Sequence, residues 1–119
     1  MILAVGYADA QEPKAVVELW QNALFDGDLK IASKYTSSTS AEYLSARFGS
    51  LEGLSQRYQV GKQNYLKTIY EEQKINGDIA RVIYTTYYRD GSIKRWEDTL
   101  FREGGVWKVA PQFARVTEK

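Results

Sequence analysis

The first half of the chain carries apolar side chains at the spacing of α-helices. Over residues 12–25 they recur every three or four positions and form one stripe, made of Val16, Leu19, Trp20, Ala23 and Leu24. Polar residues, Gln21 among them, fill the other side of this helix. Pro13 suits its first turn and Gly27 its end. Shorter helices are predicted over residues 29–35, 40–48 and 50–61.

From Tyr65 onward the apolar positions alternate with a period of two, which is typical of strands. Four strands are predicted, at residues 65–75, 79–89, 93–102 and 106–112. Short glycine-containing turns separate them, and such turns join antiparallel neighbours: Asn76-Gly77-Asp78, Asp90-Gly91-Ser92 and Glu103-Gly104-Gly105. Helices followed by a meander predict an α+β domain, with a four-stranded antiparallel sheet folded around the helices.

The second predicted strand is apolar on both faces. Ala80, Val82 and Tyr84 share one face, and the other carries a second apolar set with a contribution from the third strand: Ile79, Ile83, Tyr87 and Phe101. In a sheet with one solvent-exposed face, apolar and polar residues alternate more regularly along each strand. We therefore expect a second copy of the chain to cover this face, giving a homodimer. The alternative is a moderately apolar, tyrosine-rich face exposed to water.

Composition narrows the classes of partner. A length of 119 residues predicts one domain, which we place at residues 11–119. Sixteen basic and fifteen acidic residues give a net charge of +1, so nucleic acid is not an expected partner. No apolar run approaches the ~20 residues that cross a bilayer, so no membrane insertion is expected.

The chain contains neither cysteine nor histidine. This excludes disulfides, Ser-His and Cys-His hydrolases, and the commonest metal ligands. No metal site and no cofactor are predicted. Any acid–base catalyst has to be a carboxylate, a tyrosine or a lysine with a displaced pKa.

The N-terminal residues 1–10 indicate the subcellular localisation of the protein. Ile2 to Val5 are apolar, and Ala8-Asp9-Ala10 fits a small-x-small cleavage site, although no Lys or Arg precedes them. We interpret them as the remnant of an export signal, so that a periplasmic or secreted bacterial protein would begin at Gln11. The alternative is a cytoplasmic chain with an apolar N-terminal arm.

Three motifs, in this order, resemble a known family: Gly27-Asp28 after the first helix, Gly77-Asp78-x-Ala80-x-Val82 at a strand start, and Gly105-x-Trp107-Lys108-Val109. Over residues 12–113 the chain resembles the nuclear transport factor 2-like superfamily, with its SnoaL-like and cystatin-like cone. It is most similar to small exported bacterial domains of unknown function, some described as lumazine-binding-like. Since this fold hosts enzymes, transport factors and binding modules, the resemblance implies a fold and not an activity.

The resemblance implies a pocket between the helices and the concave face of the sheet. Its predicted lining is Trp20, Leu24, Tyr43, Val82, Tyr84, Trp96, Asp98 and Leu100. Aromatic residues at this density either stack a planar ligand or fill a core.

Asp98 is the candidate catalytic residue. Strict alternation places it inward, where desolvation raises the pKa of a carboxyl and suits it to act as a base. A register shift of one residue would turn Asp98 outward and Glu97 inward. With Asp98 facing inward as the base, Tyr84 or Tyr43 would polarise a carbonyl group of the substrate.

Three functions are compatible with these residues. The first is a non-catalytic module that holds a small aromatic or apolar ligand, or a protein partner, in its cone. The second is a cofactor-free isomerase, dehydratase or cyclase. The third is a structural interaction domain of the cell envelope. A filled cone would favour the third, and an open pocket with an unpaired Asp98 would favour the enzyme.

Overall fold

The computed structural model describes residues 12–117. Within this range four helices precede the strands: α1 (Pro13–Asp26), α2 (Leu29–Lys34), α3 (Ala41–Phe48) and α4 (Leu51–Gly61), with a 3₁₀ turn at Ser38–Ser40 before α3. Helix α1 begins at a proline, whose missing N–H is not needed there, and ends at Gly27, which adopts a φ of 73°. The predicted export signal lies outside the described residues. Among those residues, no helix is long and apolar enough to cross a membrane.

The second half forms an antiparallel sheet in the order β1-β2-β3-β4. Its strands are β1 (Tyr65–Asn76), β2 (Ile79–Tyr88), β3 (Ile93–Glu103) and β4 (Val106–Val109). The last strand is shorter than predicted because Pro111, which has no N–H to donate, starts a 3₁₀ turn at Pro111–Phe113. A two-residue strand, β5 (Arg115–Val116), then pairs with β3 beside Trp96 and Glu97.

The sheet curves around α1, as the sequence predicts. Two register shifts in β1, at Tyr65/Lys67 and at Tyr70/Glu72, interrupt its pairing with β2, and such bulges bend a strand. The concave face of β2 and β3 carries the facing pairs Ala80–Leu100, Val82–Asp98 and Tyr84–Trp96. The predicted α+β architecture, with helices in the concave face of a curved antiparallel sheet, is confirmed.

One apolar core joins α1 to the sheet. Val16, Val17 and Leu24 of α1 are fully buried, as are Val82 and Leu100 of the strands. Burying a side chain of this size stabilises a fold by about 1.5–3 kcal/mol. This contact fixes the distance between the helix and the sheet, and so positions every residue of the concave face.

Trp107 closes the end of the core next to the β3–β4 turn. Its ring is buried, and the Arg102 guanidinium lies 4.3 Å from the ring centroid. Arg102 is held there by an ion pair with Asp78 at 3.4 Å and a hydrogen bond to the Gly77 carbonyl oxygen. This end of the fold is therefore sealed by side chains.

The convex face carries the four residues predicted to form a dimer interface. Ile79 is 41% exposed, whereas Ile83 is only 8% exposed within the single chain. Phe101 packs edge-on against Phe113, with ring centroids 6.0 Å apart, and Tyr87 lies under the Lys67 ammonium. The available apolar surface is thus smaller than the sequence indicates, because the C-terminal segment covers part of it. Dimerisation through this face stays a prediction.

Candidate functional site

A cavity of about 490 Å³ lies between the helices and the concave face of the sheet and opens to the surface. Helices α1, α3 and α4, strands β1 to β3 and the segment after β4 all contribute to it. Its volume is within the range of small-molecule sites. Aromatic side chains dominate the wall: Trp20, Phe25, Tyr43, Phe48, Tyr58, Tyr65, Tyr84, Tyr88 and Trp96.

Five of the eight predicted lining residues border this cavity: Trp20, Tyr43, Tyr84, Trp96 and Asp98. The other three do not. Leu24, Val82 and Leu100 are fully buried members of the continuous apolar core, because α1 packs directly on the sheet there and leaves no space for a ligand. Their prediction as lining residues is corrected to core packing.

Asp98 lies on the concave side of β3 and is 2% exposed. The register pairs it with Val82 of β2. Its neighbour Glu97 alternates to the convex side, where it forms an ion pair with Arg115 at 2.6 Å. The carboxylate at the cavity wall is therefore that of Asp98 and not that of Glu97.

A chain of hydrogen bonds ends at Asp98. The Tyr84 hydroxyl donates to the carboxylate and lies 3.2 Å from each of its oxygens. The Gln21 Nε2 group donates to the Tyr84 oxygen at 3.0 Å, and the Tyr70 hydroxyl donates to Gln21 Oε1. Every donor in this chain points toward Asp98, which is the final acceptor.

The electrostatics of Asp98 follow from its burial. Desolvation raises the pKa of its carboxyl to about 7, although the hydrogen bond from Tyr84 lowers it in part. Among residues 12–117, no lysine or arginine forms an ion pair with it. Near neutral pH the site therefore contains both the acid and the carboxylate, and either form can exchange a proton with a molecule in the cavity.

The surrounding phenols behave differently. Burial, the largest cause, raises the pKa of Tyr58, Tyr70 and Tyr84 well above their ordinary value, and the charge of Asp98 raises all three further. Their hydroxyl groups stay protonated at neutral pH. Because the single Tyr84 proton is directed to Asp98, Tyr84 cannot polarise a carbonyl while this bond exists. In this geometry Tyr84 holds the carboxylate, and its catalytic part stays a prediction.

Sequence reasoning missed Gln21 and Tyr70. Gln21 is predicted on the wet side of α1, yet it is 7% exposed and faces the cavity. Its position four residues after the buried Val17 is the signal that places it on the inner stripe. Tyr70 is the residue opposite Tyr84 in the β1–β2 register, with ring centroids 5.5 Å apart.

Arg57 was also not identified as a lining residue, because a charge on a helix is expected to be solvated; it is indeed exposed, and it also borders the cavity. It lines the cavity from α4, and its guanidinium lies 5.5 Å from the ring centroid of Phe48. In the described part of the chain, no three acidic side chains are grouped so as to hold a metal ion. Among the described lining residues, the charged groups are the Asp98 carboxyl and the Arg57 guanidinium, and the neutral polar groups include phenols, the Gln21 amide and the Thr68 and Thr86 hydroxyls.

Comparison with solved structures identifies the fold. A SEC-C motif-containing protein from Rhodopseudomonas palustris gives a TM-score of 0.65 at 12% identity, over 92% of this chain and 82% of that one. A candidate NTF2-like transpeptidase from Campylobacter jejuni gives 0.62 at 16% identity, over 82% and 96%. A candidate dehydratase of the NTF2-like family from Streptomyces avermitilis gives 0.54 at 14% identity, over 88% and 93%.

No protein-family model and no curated protein sequence matches the chain. The structural likenesses establish that the chain has the NTF2-like fold, a helix-filled cone with a pocket. At these identities they assign no residue role, and activity has to be argued from the site itself.

Proposed function

We propose that this domain binds a small aromatic or apolar molecule in the cavity, with Asp98 as its polar anchor. The observation that carries the proposal is the Asp98 carboxyl group at the wall of an open, aromatic cavity, where no basic side chain of residues 12–117 pairs with it. Aromatic walls supply stacking and apolar contact, while one buried polar group fixes orientation. A purely structural domain has no need of such an opening.

The ligand chemistry follows from the hydrogen bonds already made. Tyr84 uses its proton on Asp98, and Gln21 uses Nε2 on Tyr84 and Oε1 on Tyr70. Asp98 keeps further acceptor positions when it is charged and gains a donor when it is protonated. It therefore suits a ligand with a hydroxyl, an amine or a carbonyl group at its inner end.

A variant that blocks the opening tests this proposal. Gly61 lines the cavity, and a Cβ added there meets no atom within 4 Å, so Gly61→Trp places an indole at the cavity without a clash at Cβ. Val60→Trp is the matched control, because Val60 is 78% exposed and does not line the cavity. A small-molecule library is screened by thermal shift and native mass spectrometry on all three proteins. Compounds that bind the wild type and Val60→Trp, but not Gly61→Trp, support the proposal. Compounds that bind all three equally contradict it.

A second candidate function is proton transfer on a bound substrate, as in a cofactor-free isomerase or dehydratase. The pKa of about 7 at Asp98 favours it, because a general base works best when its pKa is near the operating pH. In an isomerase the carboxylate takes a proton from the carbon next to a carbonyl group and returns it to another position of the substrate. In a dehydratase it takes the same proton and returns it to the leaving hydroxyl group, which departs as water while the carbon–carbon double bond forms.

Asp98→Asn separates the two functions. For an enzyme, a compound that binds the wild type is converted by it, and the variant still binds the compound without converting it. For a binding module, the compound is recovered unchanged from both proteins, and the variant has a lower affinity for ligands that donate to Asp98. Product analysis by mass spectrometry distinguishes these results.

A further inference from the structure

Two arginines flank one aromatic ring beside the cavity. The Arg57 guanidinium of α4 lies 5.5 Å from the ring centroid of Phe48, and that of Arg47, at the end of α3, lies 6.0 Å from the same centroid. Arg47 also lies 5.8 Å from the ring of Tyr43. Tyr43, Phe48 and Arg57 all line the cavity, so this pair of cations belongs to its wall and its edge.

Neither guanidinium has an acidic partner among the described residues. The ion pairs of residues 12–117 involve Lys62, Lys74, Arg95, Arg102 and Arg115, and none includes Arg47 or Arg57. The overall charge is close to zero, so the pair is not part of a generally basic surface. Because both guanidinium groups lie within 6.0 Å of the Phe48 ring centroid, an anion at this edge of the cavity is attracted by both charges.

The chemistry of arginine points to the kind of anion. A guanidinium presents several N–H donors in a plane, which match the two oxygens of a carboxylate, and its flat face stacks on aromatic rings. Here each guanidinium lies within 6.0 Å of the Phe48 ring centroid, and no side chain or carbonyl group within residues 12–117 accepts a hydrogen bond from either of them. Asp98, the other charged lining residue, provides the opposite charge.

We propose that the ligand of this cavity is an aromatic acid, with its carboxylate at Arg57 and Arg47 and a hydrogen-bond donor at Asp98. This inference rests on the proposed binding function and gives it a substrate class. Arg57 is the primary contact because it lines the cavity, while Arg47 strengthens the positive potential from the edge.

Two matched probes test the inference. 6-Hydroxy-2-naphthoate carries a hydroxyl group and a carboxylate at opposite ends of a planar body, and 2-naphthol lacks only the carboxylate. Isothermal titration calorimetry at pH 7 and low salt is expected to show at least about tenfold tighter binding of the acid, or about 1.4 kcal/mol. Added salt should reduce this advantage, because the contact with the partly exposed Arg57 is screened.

Arg57→Gln is expected to remove the advantage of the acid and to leave 2-naphthol unchanged. Arg47→Gln should cause a smaller loss of the same kind. The control is Arg81→Gln, which removes the same charge from an exposed position of β2 outside the cavity and should change neither affinity. Circular dichroism checks that all the variants are folded.

The binding results for the two probes distinguish failure of the aromatic-acid inference from failure of the proposed binding function. If 2-naphthol binds but the carboxylate adds nothing, or if Arg57→Gln weakens both probes equally, the aromatic-acid inference is overturned and the binding function stands. If neither probe binds the wild-type protein, the aromatic-acid inference is overturned, and the binding function is decided by the library screen with Gly61→Trp.

Discussion

The Tyr84 hydroxyl lies equally close to both oxygens of the Asp98 carboxylate, at 3.2 Å from each. This contact is the side-chain hydrogen bond that compensates for burying the carboxyl group, and its donor is a neutral hydroxyl group instead of a cation. Asp98 consequently keeps a pKa of about 7, and its protonation couples to the stability of the fold and to whatever enters the cavity.

The first prediction concerns stability as a function of pH. In the unfolded chain Asp98 has its ordinary pKa of 3.8, so between about pH 4 and pH 7 the folded protein keeps a proton that the unfolded chain has lost. The contribution of Asp98 to the free energy of unfolding therefore falls as pH rises through this window, by about 4 kcal/mol in total. It is constant above pH 8.

Urea denaturation of the wild type and Asp98→Asn at several pH values measures this contribution as the difference between the two proteins. Asp90→Asn is the control of opposite sign. Hydrogen bonds from Ser92 lower the pKa of the Asp90 carboxyl, so its contribution is present at neutral pH and is lost as pH falls. If the difference in free energy of unfolding between the wild type and Asp98→Asn is the same at pH 4 and pH 8, this prediction is wrong.

Tyr84→Phe tests the hydrogen-bond chain. It removes the donor to Asp98 and leaves the Gln21 Nε2 group without its acceptor, so the free energy of unfolding should fall by about 1–3 kcal/mol. Because the Tyr84 bond lowers the pKa of Asp98, that pKa should rise above 7 in the variant. An NMR titration of the Asp98 carboxyl carbon measures it, and an unchanged pKa would show that the bond is weak in solution.

Much of this fold follows from the spacing of residues in the sequence, and the site follows from it only in part. The change from helical to alternating periodicity at Tyr65 predicts the order of the elements, and alternation along β3 predicts which way Asp98 faces. The predicted end of β4 at residue 112 was wrong, because Pro111 starts a 3₁₀ turn there, and β5 was not predicted, because a two-residue strand leaves no periodic signal.

The exact cavity wall depends on how closely α1 packs on the sheet, which no local pattern encodes. Leu24 and Trp20 lie on the same predicted stripe, yet Leu24 packs in the core and Trp20 borders the cavity. Gln21 was not predicted as a site residue because a polar side chain beside an apolar stripe is usually exposed to solvent. Arg57 was missed because charge on a helix does not reveal which other helix it faces.

Dimerisation is the third prediction. The convex face retains exposed apolar side chains, including Ile79 and Ile93, and we expect a second copy to cover them. Light scattering at micromolar concentration should give twice the mass of one chain for the wild type. The Ile79→Lys variant should give the mass of a single chain. A wild-type monomer under these conditions would count against the interface.

The fourth prediction concerns residues 1–10 and depends on the sequence alone. Expression from the natural gene in its own host should yield a protein that begins at Gln11 in the envelope fraction or the medium. N-terminal sequencing decides the question, and a chain that keeps residues 1–10 in the cytoplasm would support the N-terminal arm instead.

Both candidate functions depend on the Asp98 carboxyl group, which lies desolvated at the wall of an open cavity and has no basic partner in the described part of the chain. The most direct test is an NMR titration of the Asp98 carboxyl carbon in the wild-type protein, with Asp98→Asn to assign the signal. We expect a pKa of about 7 for the Asp98 carboxyl group. A pKa near the ordinary value of 3.8 would mean that Asp98 is solvated or paired, and would remove the support for both candidate functions.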